Sequence, residues 1–133
     1  MLNVVCATVL KEGKILVTQR SEQMKLPLKW EFPGGKLEVN ESEIECIKRE
    51  LLEELNIQIV IINKMPNSVY NYGEVVINLI PYLARYDFGE IKLLEHKAYK
   101  FVEKEELLLL DWAEADLPIV QHFLNSYYEP RNI

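Results

Sequence analysis

Hydrophobic and polar positions alternate in short stretches whose period changes along the chain. Asn3 to Leu10 is rich in β-branched and small apolar side chains, Glu12-Gly13 is turn chemistry, and Lys14 to Gln19 resumes an apolar run, the pattern of a hairpin. Arg20 to Lys29 reads as a loop. Trp30 to Phe32 reads as a short strand stopped by Pro33-Gly34-Gly35, where proline cannot donate to a ladder and two glycines permit a sharp turn, so a bend is expected at Gly34 and Gly35. From Ser42 to Leu55 the period becomes helical: Ile44, Ile47, Leu51 and Leu55 recur at spacings of three and four and form one apolar stripe. Ser42 and Glu45 have the spacing of a capping box at its start. Gln58 to Lys64 and Glu74 to Arg85 read as strands, and a strand at Ala98 to Val102 precedes a helical turn at Lys104 to Leu107. Asp116 to Tyr128 reads as a closing helix. Interleaved strands and helices, with no repeat or linker, predict an α/β (α+β) fold in which helices pack on the faces of a mixed sheet.

Composition narrows this picture. At 133 residues the chain is expected to form one domain, residues 1–133, and 49% apolar against 27% charged residues is ordinary globular composition with enough material for a core. Acidic residues outnumber basic ones 21 to 15, a formal charge of −6, which is the reverse of the basic footprint of a polynucleotide binder. Cys6 and Cys46 are far apart and belong to no Cys/His pattern, so neither a disulfide scaffold nor a zinc knuckle is expected and a reducing cytoplasm fits. No leader pattern is evident and no apolar run approaches the length that spans a bilayer, so the expected protein is soluble and unprocessed, with no membrane partner.

The chemistry is concentrated on the first helix. Glu50, Glu53 and Glu54 stand at i, i+3 and i+4, so their carboxylates project from one side, centred roughly 110 to 120° from the apolar stripe. Three like charges this close repel, and a bound cation removes the conflict; carboxylate oxygens are the ligands that hard ions such as Mg²⁺ and Mn²⁺ prefer. A solvated acidic face paired with lysines is the plainer account of three glutamates alone, so the surrounding residues decide.

Those residues are specific. Gly35 is followed after five residues by Glu41, then after seven by Arg49-Glu50, then Leu51, Leu52, Glu53, Glu54, Leu55, Asn56 and Ile57. Residues 35–57 resemble the signature of the Nudix hydrolases, departing only at Asn56, where the family has glycine. Asparagine is the best substitute for glycine at positive φ, as at a helix C-terminus. The segment Trp30-Glu31-Phe32-Pro33-Gly34-Gly35-Lys36 is similar to the approach to the box in the MutT-like subgroup. Leu110 to Val120 is similar to the C-terminal part of the MutT and CTP pyrophosphohydrolases.

The resemblance implies the Nudix fold, an α/β/α sandwich around a central mixed sheet. It further implies hydrolysis of a nucleoside or deoxynucleoside triphosphate to the monophosphate and pyrophosphate, in nucleotide-pool sanitation of 8-oxo-dGTP or as a CTP or dCTP pyrophosphohydrolase, by a monomer or homodimer. On the matching positions Glu50, Glu53 and Glu54 are ligands of Mg²⁺ or Mn²⁺, with the carbonyl of Gly34 or Gly35 beside them, and Arg49 orients a glutamate or touches phosphate. Glu41 either supports the loop and helix or is simply a charge near a helix N-terminus. As general base the resemblance implies Glu53 or Glu54, as in some members, or, as in the MutT-like ones, a loop glutamate, here Glu95, against the plainer reading of an exposed loop residue. His96 and His122 are lone histidines without metal-ligand spacing.

For substrate, Arg20 and Lys36 are candidate contacts to the polyphosphate or solvated charges. Phe32 and Tyr82 border a base pocket or belong to the core. Asp116 occupies the position that reads the base in the subgroup, or caps the last helix; an ionised Asp only accepts hydrogen bonds, which favours cytosine over 8-oxoguanine. Two alternatives stand beside this function: a Nudix hydrolase of ADP-ribose or a dinucleoside polyphosphate, and a silent nucleotide-sensing module. Retention of Arg49, Glu50, Glu53 and Glu54 argues against the second.

Overall fold

A computed structural model describes residues 1–126, and it is built on one long parallel pairing. Strand β1 (Leu2–Lys11) runs alongside β7 (Val76–Phe88) from Leu2 opposite Ile77 to Leu10 opposite Arg85. Around this pair lie β2 (Lys14–Gln19), β3 (Trp30–Glu31), β4 (Gly34–Lys36), β5 (Gln58–Lys64), β6 (Ser68–Asn71) and β8 (Ala98–Val102). The sheet is mixed, in the order β3-β2-β1-β7-β5, with β4 on β1, β6 on β7 and β8 on β2. Helix α1 (Glu43–Leu55) covers one face; α2 (Leu117–Ser126) and a 3₁₀ turn at Lys104–Leu109 cover the other.

Period-two alternation sorts the core into these layers. Val5, Ala7 and Val9 of β1 join Leu16, Ile80 and Ala84 against Ile47, Leu51 and Leu55 of α1. Cys6, Leu10, Ile15, Val17, Leu79 and Leu83 face the other way, against Ile119, Val120 and Phe123 of α2. The expected α/β/α sandwich is therefore the fold. Among the described residues no helix is long and apolar enough to cross a membrane.

The expected elements at Gln58 to Lys64 and Ala98 to Val102 are found as such, and the capping box is formed, with Glu45 N–H donating to Ser42 Oγ and Ser42 N–H to Glu45 Oε1. Asn56 ends α1 at φ 62°, the left-handed conformation asparagine tolerates. Elsewhere the structure corrects the pattern. Gly34 and Gly35 are not a bend: the chain bends at Pro33, and both glycines run in β4. The expected strand at Glu74 to Arg85 starts two residues later and continues to Phe88, because Tyr72, Gly73 and Glu74 form a turn, fastened by Gly73 N–H to Asn71 Oδ1. Its hairpin partner β6 lacks a recognisable alternation and is largely exposed. The turn at Lys104 extends to Leu109 as 3₁₀ helix, and the closing helix begins at Leu117 after a 3₁₀ turn at Glu114–Asp116. Tyr127 and Tyr128 lie outside the described residues.

One correction matters for function. Ile44 is 41% exposed, and Cys46 is buried with Ile47, Leu51 and Leu55. At 100° per residue this rotates the buried arc of α1 toward the side that carries Glu50 and Glu54. The two glutamates are drawn inward while Glu53 stays outside.

Candidate active site

The site begins where β4 is pressed between β1 and α1. A Cβ on Gly34 would lie 1.9 Å from the Val5 carbonyl oxygen, and one on Gly35 would lie 2.2 Å from the Glu50 carboxyl. Close approach of neighbours, rather than a turn, is what requires glycine here. Gly35 sits opposite Val5 in an antiparallel ladder that also carries Ala7 N–H to the Pro33 carbonyl and Leu37 N–H to the Asn3 carbonyl. Odd-numbered residues of this segment therefore face β1, and alternation turns the Gly34 and Lys36 carbonyls away from it. The Lys36 carbonyl is met by the Cys46 thiol at 3.3 Å and Arg49 Nη2 at 3.4 Å, on the side of α1.

Arg49 is the electrostatic hub. Its Nε and Nη2 grip the two Glu41 oxygens at 2.6 and 3.0 Å, and its Nη1 donates to Glu50 at 2.8 Å and Glu53 at 3.0 Å. The bond to the guanidinium holds the Glu41 carboxyl down at about 2, so the pair is ionised at any working pH. Glu41 thus ties the loop to the helix, and Arg49 orients glutamates.

Glu50 and Glu54 are displaced in the opposite direction. Burial raises Glu50 despite Arg49. Burial, contact with the Glu95 carboxyl and the charge of Glu50 push Glu54 to about 9. Glu95 reaches Glu54 because its loop is stitched to the end of α1: Lys92 N–H donates to the Leu55 carbonyl at 3.0 Å and Leu94 N–H to the Glu54 carbonyl at 3.3 Å. Glu54 Oε1 is buried and meets no donor among the described residues. Among those residues no three acidic, His or Cys side chains already form a coordination shell, since Arg49 takes up Glu50 and Glu53. The donor set nevertheless fits a hard divalent cation: crowded carboxylates, a buried oxygen without a donor, and a backbone carbonyl turned off the ladder.

A cleft leads from Glu54 to the opposite layer. Its narrow end, about 150 Å³, is lined by Glu54, Gly34, Gly35, Lys36, Phe32 and Asp116. It shares Val4, Arg20, Glu31, Leu79 and Asp116 with a mainly apolar cavity of about 330 Å³ that is walled by Leu26, Tyr72, Val75, Ile77, Ala113 and Ala115. At the junction Asp116, 5% exposed, accepts from Phe32 N–H through Oδ2 at 2.9 Å. Its carboxyl is directed at β3 and the cleft. Burial and the nearby Glu31 push its pKa well up, toward the neutral form. In the one hydrogen bond it makes here the carboxyl accepts, as expected, and the upward shift favours the form that donates as well.

Most of the residues singled out from the sequence converge here. Arg20 lines both ends of the cleft but is not a free cation: it pairs with Glu31 at 2.8 Å. Lys36 lines the narrow end. Phe32 is a core residue, 4.8 Å between ring centroids from Trp112, whose backbone N–H and one edge reach the cleft. Tyr82 is a correction: it lies on the α1 face of β7, its hydroxyl donates to Glu43 at 2.7 Å, and it lines neither end. Its place in β7 is offset by an odd number of residues from Ile77 and Leu79, so it points to the opposite side of the sheet. His96, which the sequence assigns no role, is buried and paired with Glu31 at 2.8 Å. Glu31 is a site residue that the sequence reading does not single out; the available signal is a charge set between Trp30 and Phe32 in a strand that otherwise reads as core.

Comparison with known proteins agrees with this geometry. The NUDIX domain family matches residues 1–123. The CTP pyrophosphohydrolase of Escherichia coli K12 is 33% identical over 124 residues, covering 93% of this chain and 92% of that protein. The 8-oxo-dGTP diphosphatase of Buchnera aphidicola subsp. Acyrthosiphon pisum is 30% identical over 125 residues, covering 94% of each. Among solved structures, the crystal structure of the MutT protein from Methanosarcina mazei Go1 superposes with a TM-score of 0.86 at 26% identity, covering 96% of both chains. Signature, sandwich and site coincide along the same stretch of sequence, and the chain belongs to the Nudix hydrolases, enzymes that cleave phosphoric anhydride bonds.

Proposed function

We propose that the protein hydrolyses a nucleoside or deoxynucleoside triphosphate to the monophosphate and pyrophosphate, with Mg²⁺ or Mn²⁺ as the cofactor. The observation that carries this is the cleft that joins the Glu54 carboxyl, against which Glu95 lies, to an apolar pocket with Asp116 at the junction. One end suits a charged phosphate chain with cations and the other a planar base. Relatives named for CTP and 8-oxo-dGTP support the same substrate class.

In the reaction water adds to one phosphorus of the α–β anhydride, the bridging oxygen leaves with the phosphoryl group not attacked, and the water proton passes to a carboxylate. Glu50, Glu53, Glu54 and the Gly34 carbonyl would hold the ion, which supplies charge neutralisation and a lowered pKa for bound water. Arg49 sets Glu50 and Glu53 and is itself fixed by Glu41. Glu95, against Glu54, accepts the proton. Lys36 neutralises phosphate at the narrow end, and Arg20, held by Glu31, borders the passage to the base. The Asp116 carboxyl, held through one oxygen by Phe32 N–H, forms the polar edge that meets the base. A damaged or surplus pyrimidine or purine nucleotide in the cytoplasmic pool fits this pocket.

The test is a panel of normal and oxidised NTPs and dNTPs, with ADP-ribose and a dinucleoside polyphosphate included, assayed with Mg²⁺ or Mn²⁺ for the products formed. Turnover of triphosphates to monophosphate and pyrophosphate is expected. Preference for ADP-ribose or the dinucleoside polyphosphate would replace the substrate class, and no turnover of any member would remove the enzymatic function.

A further inference from the structure

Glu95 owes its place to a residue on each side of it. On the α1 side, Leu94 N–H bonds the Glu54 carbonyl. On the β2 side, Lys97 N–H bonds the Gln19 carbonyl at 2.9 Å. Between these ties His96 turns inward; its side chain is 1% exposed and its Nε2 lies 2.8 Å from Glu31 Oε2. The other Glu31 oxygen accepts from Arg20 Nη1 at 2.8 Å, and Thr18 Oγ1 holds the Glu31 carbonyl at 3.1 Å. His96 Nδ1 is buried with no partner among the described residues. With a carboxylate facing Nε2, that nitrogen is the one that carries a hydrogen and donates it to Glu31.

We propose that Glu31 and His96 form a latch that positions Glu95 against Glu54, with His96 acting as a positioning residue rather than as a base or metal ligand. A loop glutamate with no such anchor samples many rotamers and backbone positions, and ordering it at the moment of reaction costs entropy. The buried imidazole removes that freedom beforehand. Because one Glu31 oxygen serves His96 and the other Arg20, the same carboxylate registers the proton-accepting loop and the arginine at the substrate cleft. Outer partners of this kind, which touch functional groups without touching substrate, typically change activity roughly 10- to 100-fold when removed.

This inference rests on Glu95 acting in the proposed hydrolysis, and the experiment separates the two. His96→Leu, His96→Gln, Glu95→Gln and the double variant of His96→Leu with Glu95→Gln are compared by steady-state hydrolysis of the best triphosphate and by amide hydrogen exchange over residues 89–97. The latch predicts that His96→Leu lowers kcat roughly 10-fold or more with KM changed less than about threefold. It also predicts that exchange over 89–97 accelerates while α1 and β8 are unchanged, and that His96→Gln, which retains a donor, recovers most of both. Since His96 works through Glu95, the double variant should be no worse than Glu95→Gln alone. Unchanged exchange in both His96 variants, or losses that multiply in the double variant, would overturn the latch. If Glu95→Gln retains full activity while exchange in His96→Leu accelerates, the latch stands and the role of Glu95 as proton acceptor is what fails. Should His96→Leu not fold, His96→Gln carries the same comparison.

Discussion

Gly35 and Glu50 stand so close that a Cβ on Gly35 would lie 2.2 Å from the Glu50 carboxyl carbon, and Glu50 cannot simply swing aside because Arg49 Nη1 holds it at 2.8 Å. Gly35→Ala is therefore expected to displace a functional carboxylate at a moderate cost in stability, about 1–3 kcal/mol as for other overpacked sites. Gly34→Ala meets the Val5 carbonyl, a backbone atom in the β1 ladder, and should destabilise more. Urea unfolding of the two variants, with Mg²⁺ titration of activity, checks the distinction: Gly35→Ala weakens metal dependence out of proportion to stability, and Gly34→Ala weakens stability first.

The Glu54 carboxyl retains its proton up to about 9, against an ordinary value of 4.5 in the unfolded chain. Between those values the folded state binds the extra proton, so stability of the metal-free protein is fullest below 4.5 and declines as pH rises through about 9. A cation displaces the proton and reverses the trend. Thermal unfolding should show Mg²⁺ raising Tm more at about pH 8.5 than at about pH 6, and Glu54→Gln should remove the difference. An equal Mg²⁺ shift at both pH values in the unmodified protein would place the ion away from Glu54.

Arg49 hydrogen-bonds three carboxylates, and lysine cannot reproduce a fork that grips both Glu41 oxygens. Arg49→Lys should lower activity by roughly 10- to 100-fold with the fold intact. The Glu41 carboxyl, held at about 2, loses its pairing only as pH falls toward that value, so its contribution is present above 4.5 and lost below. In Arg49→Lys its titration, followed by NMR, should move up toward the ordinary range.

Asp116 accepts from Phe32 N–H and is shifted toward its neutral form by burial, so under the proposed function its capacity to donate to a base depends on pH. The carboxamide introduced by Asp116→Asn presents a donor and an acceptor at every pH. The ratio of kcat/KM between 8-oxo-dGTP and CTP should drift with pH in the unmodified enzyme and stay flat in the variant. The difference expected is roughly threefold to tenfold, the worth of one neutral hydrogen bond of about 1 kcal/mol. A ratio that drifts equally in both proteins would make Asp116 a structural link between β3 and the last helix.

The strands β5 and β8, the capped helix α1 and its αL end at Asn56 are legible in the sequence because each is decided locally, by alternation, by the Ser42/Glu45 pair or by one residue's tolerance of positive φ. The glutamates and Arg49 are legible because one helix carries them at fixed spacing. What is not legible depends on tertiary contact. Gly34 and Gly35 look like a turn until β1 and Glu50 are placed beside them. Tyr82 looks like a pocket residue until the parity of β7 assigns it to the α1 face. Glu31 and His96, 65 residues apart, become partners only when β3 and the loop before β8 meet across β2. Asp116 has a cap's sequence position, yet its carboxyl goes to Phe32 because the 3₁₀ turn before α2 lays it across the sheet.

The central claim, a carboxylate site on α1 that cleaves a triphosphate between the nucleotide and its pyrophosphate, is tested most directly by product analysis. Purified protein with Mg²⁺ should convert its best triphosphate to monophosphate and pyrophosphate, with Glu53→Gln and Glu54→Gln folded but at least about 100-fold slower, as expected when an ion's ligand is lost from such chemistry. Release of inorganic phosphate instead of pyrophosphate, or full activity in Glu54→Gln, would contradict it.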